Sequence, residues 1–120
     1  MHREVMEWLD AVVPKDAESV IEIGSRDVNG TPRVFFKKAV DAGGYIGVDI
    51  EPGDGVDIVA DAATWRPLDA ANVVLCCEVF EHTPAWRQIL KTMALVTRPG
   101  GMVFITAAGP AREPHSAVDG

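Results

Sequence analysis

The chain has 120 residues, 48% of them hydrophobic and 24% charged, a balance that suits one soluble globular domain over residues 1–120 and excludes a disordered tail or a repeat array. Its formal net charge is −7 and its longest basic cluster is Lys37–Lys38, which argues against nucleic acid as a partner, since that binding rests on cation-to-phosphate contacts. No apolar run is long enough to span a membrane and MHREVMEWLD is too charged for a signal-peptide core, so a cytoplasmic protein without a membrane partner is expected.

Residues 3–13, REVMEWLDAVV, carry Val5, Met6, Leu9, Val12 and Val13 at helical spacing, and Pro14 closes an amphipathic opening helix over residues 1–14. SVIEIG, residues 19–24, is a short β-branched run ending at glycine and is expected to be a buried parallel strand. After the polar loop SRDVNG, Thr31–Pro32 gives a cap followed by proline at the first helical position. A helix is expected there, with Val34, Phe35, Ala39 and Val40 or Ala42 on one face and Gly43–Gly44 as its stop. YIGVDI (45–50) and VDIVAD (56–61) read as the second and third strands.

Residues 62–71 contain Pro67 and little periodicity, so a loop with at most a helical turn is expected. NVVLCC (72–77) reads as a fourth strand. Thr83–Pro84 repeats the cap-then-proline signal and opens a helix through Trp86, Ile89, Leu90, Met93 and Val96. MVFITAA (102–108) reads as a fifth strand, and residues 109–120 have no apolar periodicity and read as a loop or a severed end. Near-continuous apolar strands alternating with helices imply an α/β fold with a doubly wound, mainly parallel sheet in the order 3-2-1-4-5.

In such sheets the ligand lies beyond the carboxyl ends of the strands, so residues there are the site candidates. Gly24 lets the chain approach a ligand, and the helix start after Gly30 would offer free amides to an anion; glycines that merely turn the chain are the plainer alternative. Asp49 follows the second strand about where an acid on two ribose hydroxyls belongs, although a solvated turn residue fits as well. Asp61 follows the third, where its carboxylate can accept from an adenine amine while the Ala62 amide reaches a ring nitrogen; a loop carboxylate or helix cap is the alternative.

Glu78, Glu81 and His82 cluster after the fourth strand, where carboxylates and an imidazole can orient a ligand or take a proton; each is also an ordinary structural residue elsewhere. His82 is the leading candidate base, ahead of Glu78 and His115, because an imidazole accepts a proton near neutrality. Adjacent Cys76 and Cys77 are expected to be buried free thiols. A zinc site built from them with His82 and His115 is disfavoured, because neighbouring strand residues point to opposite faces.

Taken together, VIEIGSRDVNG, YIGVDIEPGDGVDIVADA, NVVLCCEVFEHTPAW and LVTRPGGMVFIT resemble the successive motifs of a class I S-adenosylmethionine-dependent methyltransferase over residues 19–107. The resemblance is to the small-molecule group with an EVFEH-type fourth motif. It implies S-adenosyl-L-methionine as cofactor, with Glu22 and Gly24 along its methionine part, Asp49 at its ribose, Asp61 with Ala62 at its adenine, and Ser25 and Ile50 among the cofactor-binding residues. Cys77 and Glu78 would flank the methionine moiety from the far side, and the reaction implied is methyl transfer to an oxygen or nitrogen of a small-molecule acceptor.

Two departures from that pattern stand out. Arg26 and Val28 occupy positions where further glycines are usual, so a longer or differently folded loop is expected at Ser25–Asn29. The family's β6 and antiparallel β7 are lacking, which would leave the fifth strand's edge bare; an oligomer or a further C-terminal segment is expected to cover it. The alternatives are a non-catalytic cofactor-binding or regulatory domain and, with less support because G-x-G-x-x-G is missing, a nucleotide-cofactor oxidoreductase.

Overall fold

Val20–Ile23 form the central strand β1, and in a computed structural model that describes residues 2–28 and 30–107 all four are buried. Tyr45–Asp49 (β2) pair with it on one side and Ala71–Cys77 (β4) on the other, so that Val20 lies opposite both Tyr45 and Val73. Ile58–Val59 (β3) and Thr97–Thr106 (β5) occupy the edges. The sheet is parallel throughout and its order is β3-β2-β1-β4-β5, as the alternation of strands and helices implies.

The period-two alternation of strand side chains divides the core into two layers. On one face Val20, Tyr45, Val73, Leu75 and Cys77 meet Val5, Leu9 and Val13 of the opening helix, Arg3–Val12 (α1) and its cap, together with Phe36 and Ala39. On the other, Ile21, Ile23, Val74 and Cys76 meet Ile89, Met93 and Val96 of Trp86–Val96 (α3). Val5, Leu9 and Val13 recur every four residues, which places them along one stripe of the helix. The two cysteines lie in opposite layers and are free thiols.

Three boundaries differ from the sequence reading. The segment after Thr31 is broken into a 3₁₀ turn, Pro32–Phe35, and a five-residue helix, Lys37–Asp41 (α2), because Phe36 leaves helical geometry to bury its ring beside Tyr45 at 5.9 Å. The expected inward face is corrected accordingly: Val34 is exposed, and Phe36 is the core residue. β3 is shorter than 56–61 because the Asp57 side chain accepts the Gly47 amide at 2.7 Å, replacing the main-chain acceptor a longer ladder would supply. β5 starts at Thr97 rather than Met102, with Arg98–Gly101 bulging out between the pairs Ala71–Thr97 and Val73–Met102. Ala108, where the strand was expected to end, and the tail from 109 with His115 lie outside the described residues.

Thr83 accepts from the Ala85 amide at 3.0 Å, but the helix begins only at Trp86 with Ala85 as its N-cap, so the cap-then-proline signal lies in the turn that leads into α3 and does not cap it. Residues 62–64 make one turn. No helix among the described residues is long and apolar enough to cross a membrane.

Candidate functional site

The carboxyl ends of β1, β2, β3 and β4 open into two clefts. The first, ≈ 400 Å³, is bounded by Gly24, Asp49, Ile50, Asp61 and Ala62, with Cys77 and Glu78 at its far end. The second, ≈ 450 Å³, is bounded by Glu22, Arg26, Glu81 and His2. Gly24, Cys77, Glu78 and His82 line both, so the two clefts run together over the gap between β1 and β4.

Gly24 is required by geometry. Its φ is +75°, and a Cβ there would lie 2.3 Å from Val79 Cγ2, so the turn after β1 passes directly against the segment after β4. Glu78 faces it in a left-handed conformation, φ +59°, which costs a non-glycine residue on the order of 1 kcal/mol and marks a position over-determined by its surroundings. Its amide donates to the Thr106 carbonyl at 2.7 Å, and its carboxylate lies 3.7 Å from His2 Nε2.

The loop after Gly24 departs from a glycine-rich turn as its composition implies. The Asp27 amide donates to the Asp54 carbonyl at 2.7 Å and its carboxylate accepts from Gly30 at 2.9 Å, so the loop docks on the β2–β3 turn. Ser25 is buried, its hydroxyl has no partner among the described residues, and it borders neither cleft; a Cβ on Gly47 would come within 2.6 Å of that oxygen. The helix expected after Gly30 opens instead as a short 3₁₀ turn whose Arg33 amide is capped by Thr31 Oγ1, so that amide is not offered to an anion.

Asp49 Oδ2 accepts from the Arg26 amide and Oδ1 from the Glu51 amide, each at 2.9 Å. A carboxylate oxygen has two acceptor sites, so both remain able to accept a ligand hydroxyl. Asp61 Oδ1 accepts from Ala63 at 2.9 Å, and no described group accepts from the Ala62 amide. Asp61 is thus both the turn former of its bland reading and a wall of the cleft.

Glu22 is 3% exposed; Tyr45 donates its hydroxyl to Oε1 at 2.7 Å, and burial lifts the carboxyl to about 8. Burial also pushes the Cys77 thiol up to about 12, so it borders both clefts as a neutral group. The His82 side chain is 76% exposed, and its Nε2 lies 3.6 Å from Glu81. The sequence reading missed His2, Arg26 and Val79 as cleft residues; His2 and Arg26 reach the site through chain packing, which no local pattern signals.

A family model described as a methyltransferase domain matches residues 1–118. An uncharacterized methyltransferase of Mycobacterium tuberculosis is 35% identical over 95 residues, 67% of this chain and 37% of that protein. One of Mycobacterium avium is 34% identical over 94 residues, with the same coverage of both. A ubiquinone biosynthesis O-methyltransferase of Burkholderia thailandensis is 30% identical over 113 residues, 84% of this chain and 49% of that protein. The chain therefore spans half or less of the length of these relatives.

Proposed function

We propose, from the premise that this chain belongs to the methyltransferase-domain family, that it binds S-adenosyl-L-methionine across the two joined clefts and serves methyl transfer to an oxygen or nitrogen of a small-molecule acceptor. The observation that carries the reading is the placement of Asp49 and Asp61, at the ends of neighbouring parallel strands, on one cleft that continues to Gly24 and Glu78.

The residues present suit such a molecule. Ile50, Ala62 and Ile89 offer apolar walls to an adenine ring, and Asp49 offers carboxylate oxygens to ribose hydroxyls. Glu22 and Glu78 put acidic groups where the amino-acid end would lie, in the second cleft. When bound, the group supplies a methyl carried on a sulfonium. Displacement at such a methyl depends mainly on alignment, so the chain's principal task is to hold donor and acceptor in line and keep water away. His82 lines both clefts, which supports it as the base that takes the acceptor's proton.

The test is calorimetry with S-adenosylhomocysteine, alongside NAD as competitor class, on wild type and on Asp61→Asn. The expected result is binding of S-adenosylhomocysteine weakened several-fold by the substitution. Binding of NAD alone would sink the reading, and donor binding without turnover across a panel of phenols and amines would leave a non-catalytic binding domain.

A further inference from the structure

The two edges of the sheet are built differently. β3, at one end, is two residues long and lies between Asp57 and Asp61, a short strand between carboxylates of the kind that resists pairing with another chain. β5, at the other end, runs in step with β4 from Met102 to Thr106, and no charged residue occurs from Pro99 to Ala107. Among the described residues no strand pairs with its outer side.

That outer side presents a regular row of main-chain groups. The Glu78 amide donates to the Thr106 carbonyl, so Thr106 turns its main chain towards β4, and by the strand's period of two Phe104 and Met102 do the same. Val103 and Ile105 therefore turn their N–H and C=O groups outwards. Their side chains, opposite Val74 and Cys76 of β4, lie on the α3 face. Phe104 lies on the α1 face, where Trp8 packs edge-on against it at 6.0 Å, with Met102 on the same face and Val12 one turn further along that flank of α1. Trp8, Val12, Met102, Val103 and Ile105 are each between 37% and 44% exposed, so the bare edge is apolar on both faces of the sheet.

We infer that β5 pairs with β5 of a second copy of this chain, antiparallel about a two-fold axis at Phe104, joining two five-stranded sheets into one. Phe104 is the midpoint of the regular stretch Met102–Thr106, and this register sets Val103 of each copy against Ile105 of the other. Those are the residues with outward main chain, so each pair exchanges two hydrogen bonds; a shift by one residue would set outward groups against inward ones. A second copy suits the edge because the axis, normal to the sheet, returns to it what it presents: an unpaired row, an uncharged strand and apolar side chains on both faces. Val103 and Ile105 of the two copies close into one cluster on the α3 face, and the two Trp8 rings approach each other on the α1 face. The strip buried is on the order of 1,000 Å² over both copies, the lower end for a specific interface, so a micromolar dimer is expected. No β5 residue lines either cleft, so pairing leaves both open and is independent of what they bind.

Analytical ultracentrifugation of the 120-residue chain, from low to high micromolar concentration, is expected to show a monomer–dimer equilibrium. Salt should tighten it, because each copy carries a net charge of −7. Amide hydrogen exchange read by NMR locates the contact: Val103 and Ile105 should gain about tenfold protection or more as concentration rises, whereas Phe104, turned towards β4, is protected throughout. Val103→Lys is expected to raise the dissociation constant about a hundredfold, with a urea midpoint in dilute solution close to that of wild type, which shows that it is folded. Val59→Lys, the same change on the β3 edge, should leave the dimer intact. A monomer at every concentration, an assembly that grows beyond two copies, or a dimer that survives Val103→Lys overturns the inference. Protection of Val103 and Ile105 that does not vary with concentration overturns it too, because the edge is then covered from within one chain.

Discussion

The Arg26 amide donates to Asp49 Oδ2 at 2.9 Å, so one carboxylate ties the loop after β1 to the end of β2. The Glu51 amide takes its other oxygen, which makes Asp49 both a fastener of the cleft wall and, on the proposed reading, a ribose acceptor. Substitution tests both roles. Asp49→Asn keeps one acceptor oxygen but sets an NH2 against the second of the two amides, so it is expected to cost about 0.5–1 kcal/mol of stability as well as weakening S-adenosylhomocysteine by about tenfold, the scale of ~1.5 kcal/mol for a bond to a charged group. Asp49→Ala should lose at least as much affinity and about 1 kcal/mol of stability besides. Unchanged affinity in both variants would remove Asp49 from the site.

Gly24→Ala and Gly43→Ala form a matched pair. Both glycines have φ near +75°, but a Cβ at Gly43 meets nothing within 4 Å, whereas at Gly24 it runs into Val79 Cγ2. The shared conformational cost is about 1 kcal/mol, and overpacking should add roughly 1–3 kcal/mol at Gly24 alone. Urea denaturation of the two variants measures the difference. Equal losses would mean that the loop is not pressed against the segment after β4.

Much of the fold was legible because it rests on short-range pattern. β1 and β4 are buried on both faces and so appear as continuous apolar runs, and Leu9 and Met93 sit on plain helical stripes. That Asp49 and Asp61 line a cleft was legible because strand ends are where parallel sheets open such clefts. What the pattern could not show is which tertiary contact would override it. Phe36 falls off the helical face that Val34 and Phe35 suggest, since its burial against Tyr45 outweighs helix continuity. Likewise the Asp57 side chain intercepts an amide that strand pairing would have used.

The Phe36 correction has its own check. Phe36→Ala should destabilise by about 3–5 kcal/mol, the range for emptying a fully buried aromatic site. Val34→Ala, at a position 67% exposed, should stay within about 0.5 kcal/mol of wild type. Comparable losses at the two positions would restore the unbroken helix with Val34 inward.

Glu22 gives the stability a pH dependence of definite sign. Its carboxyl is raised from 4.5 to about 8 in the folded chain, so between those values the folded state binds more protons than the unfolded state. Stability from this group is full below about pH 4.5 and is lost as pH climbs towards 8, at up to about 1.4 kcal/mol per pH unit. The urea midpoint of wild type should therefore fall between pH 5 and pH 8 relative to that of Glu22→Gln, which lacks the titrating group. Parallel midpoints over that window would show that Glu22 is ionised in the folded state.

On the proposed reading, His82 is the residue whose substitution separates acid–base chemistry from alignment of the reactants alone. The imidazole is largely exposed at the junction of the clefts, 3.6 Å from the Glu81 carboxylate, so it can meet an acceptor entering from solvent without displacing a packed side chain. If it takes the acceptor's proton, His82→Ala should lower donor consumption at least tenfold with a phenolic acceptor, and the fall in wild-type rate towards acid pH should vanish in the variant, because a base works only unprotonated. A rate for His82→Ala within about threefold of wild type amounts to under 1 kcal/mol in the barrier and assigns methyl transfer here to alignment alone.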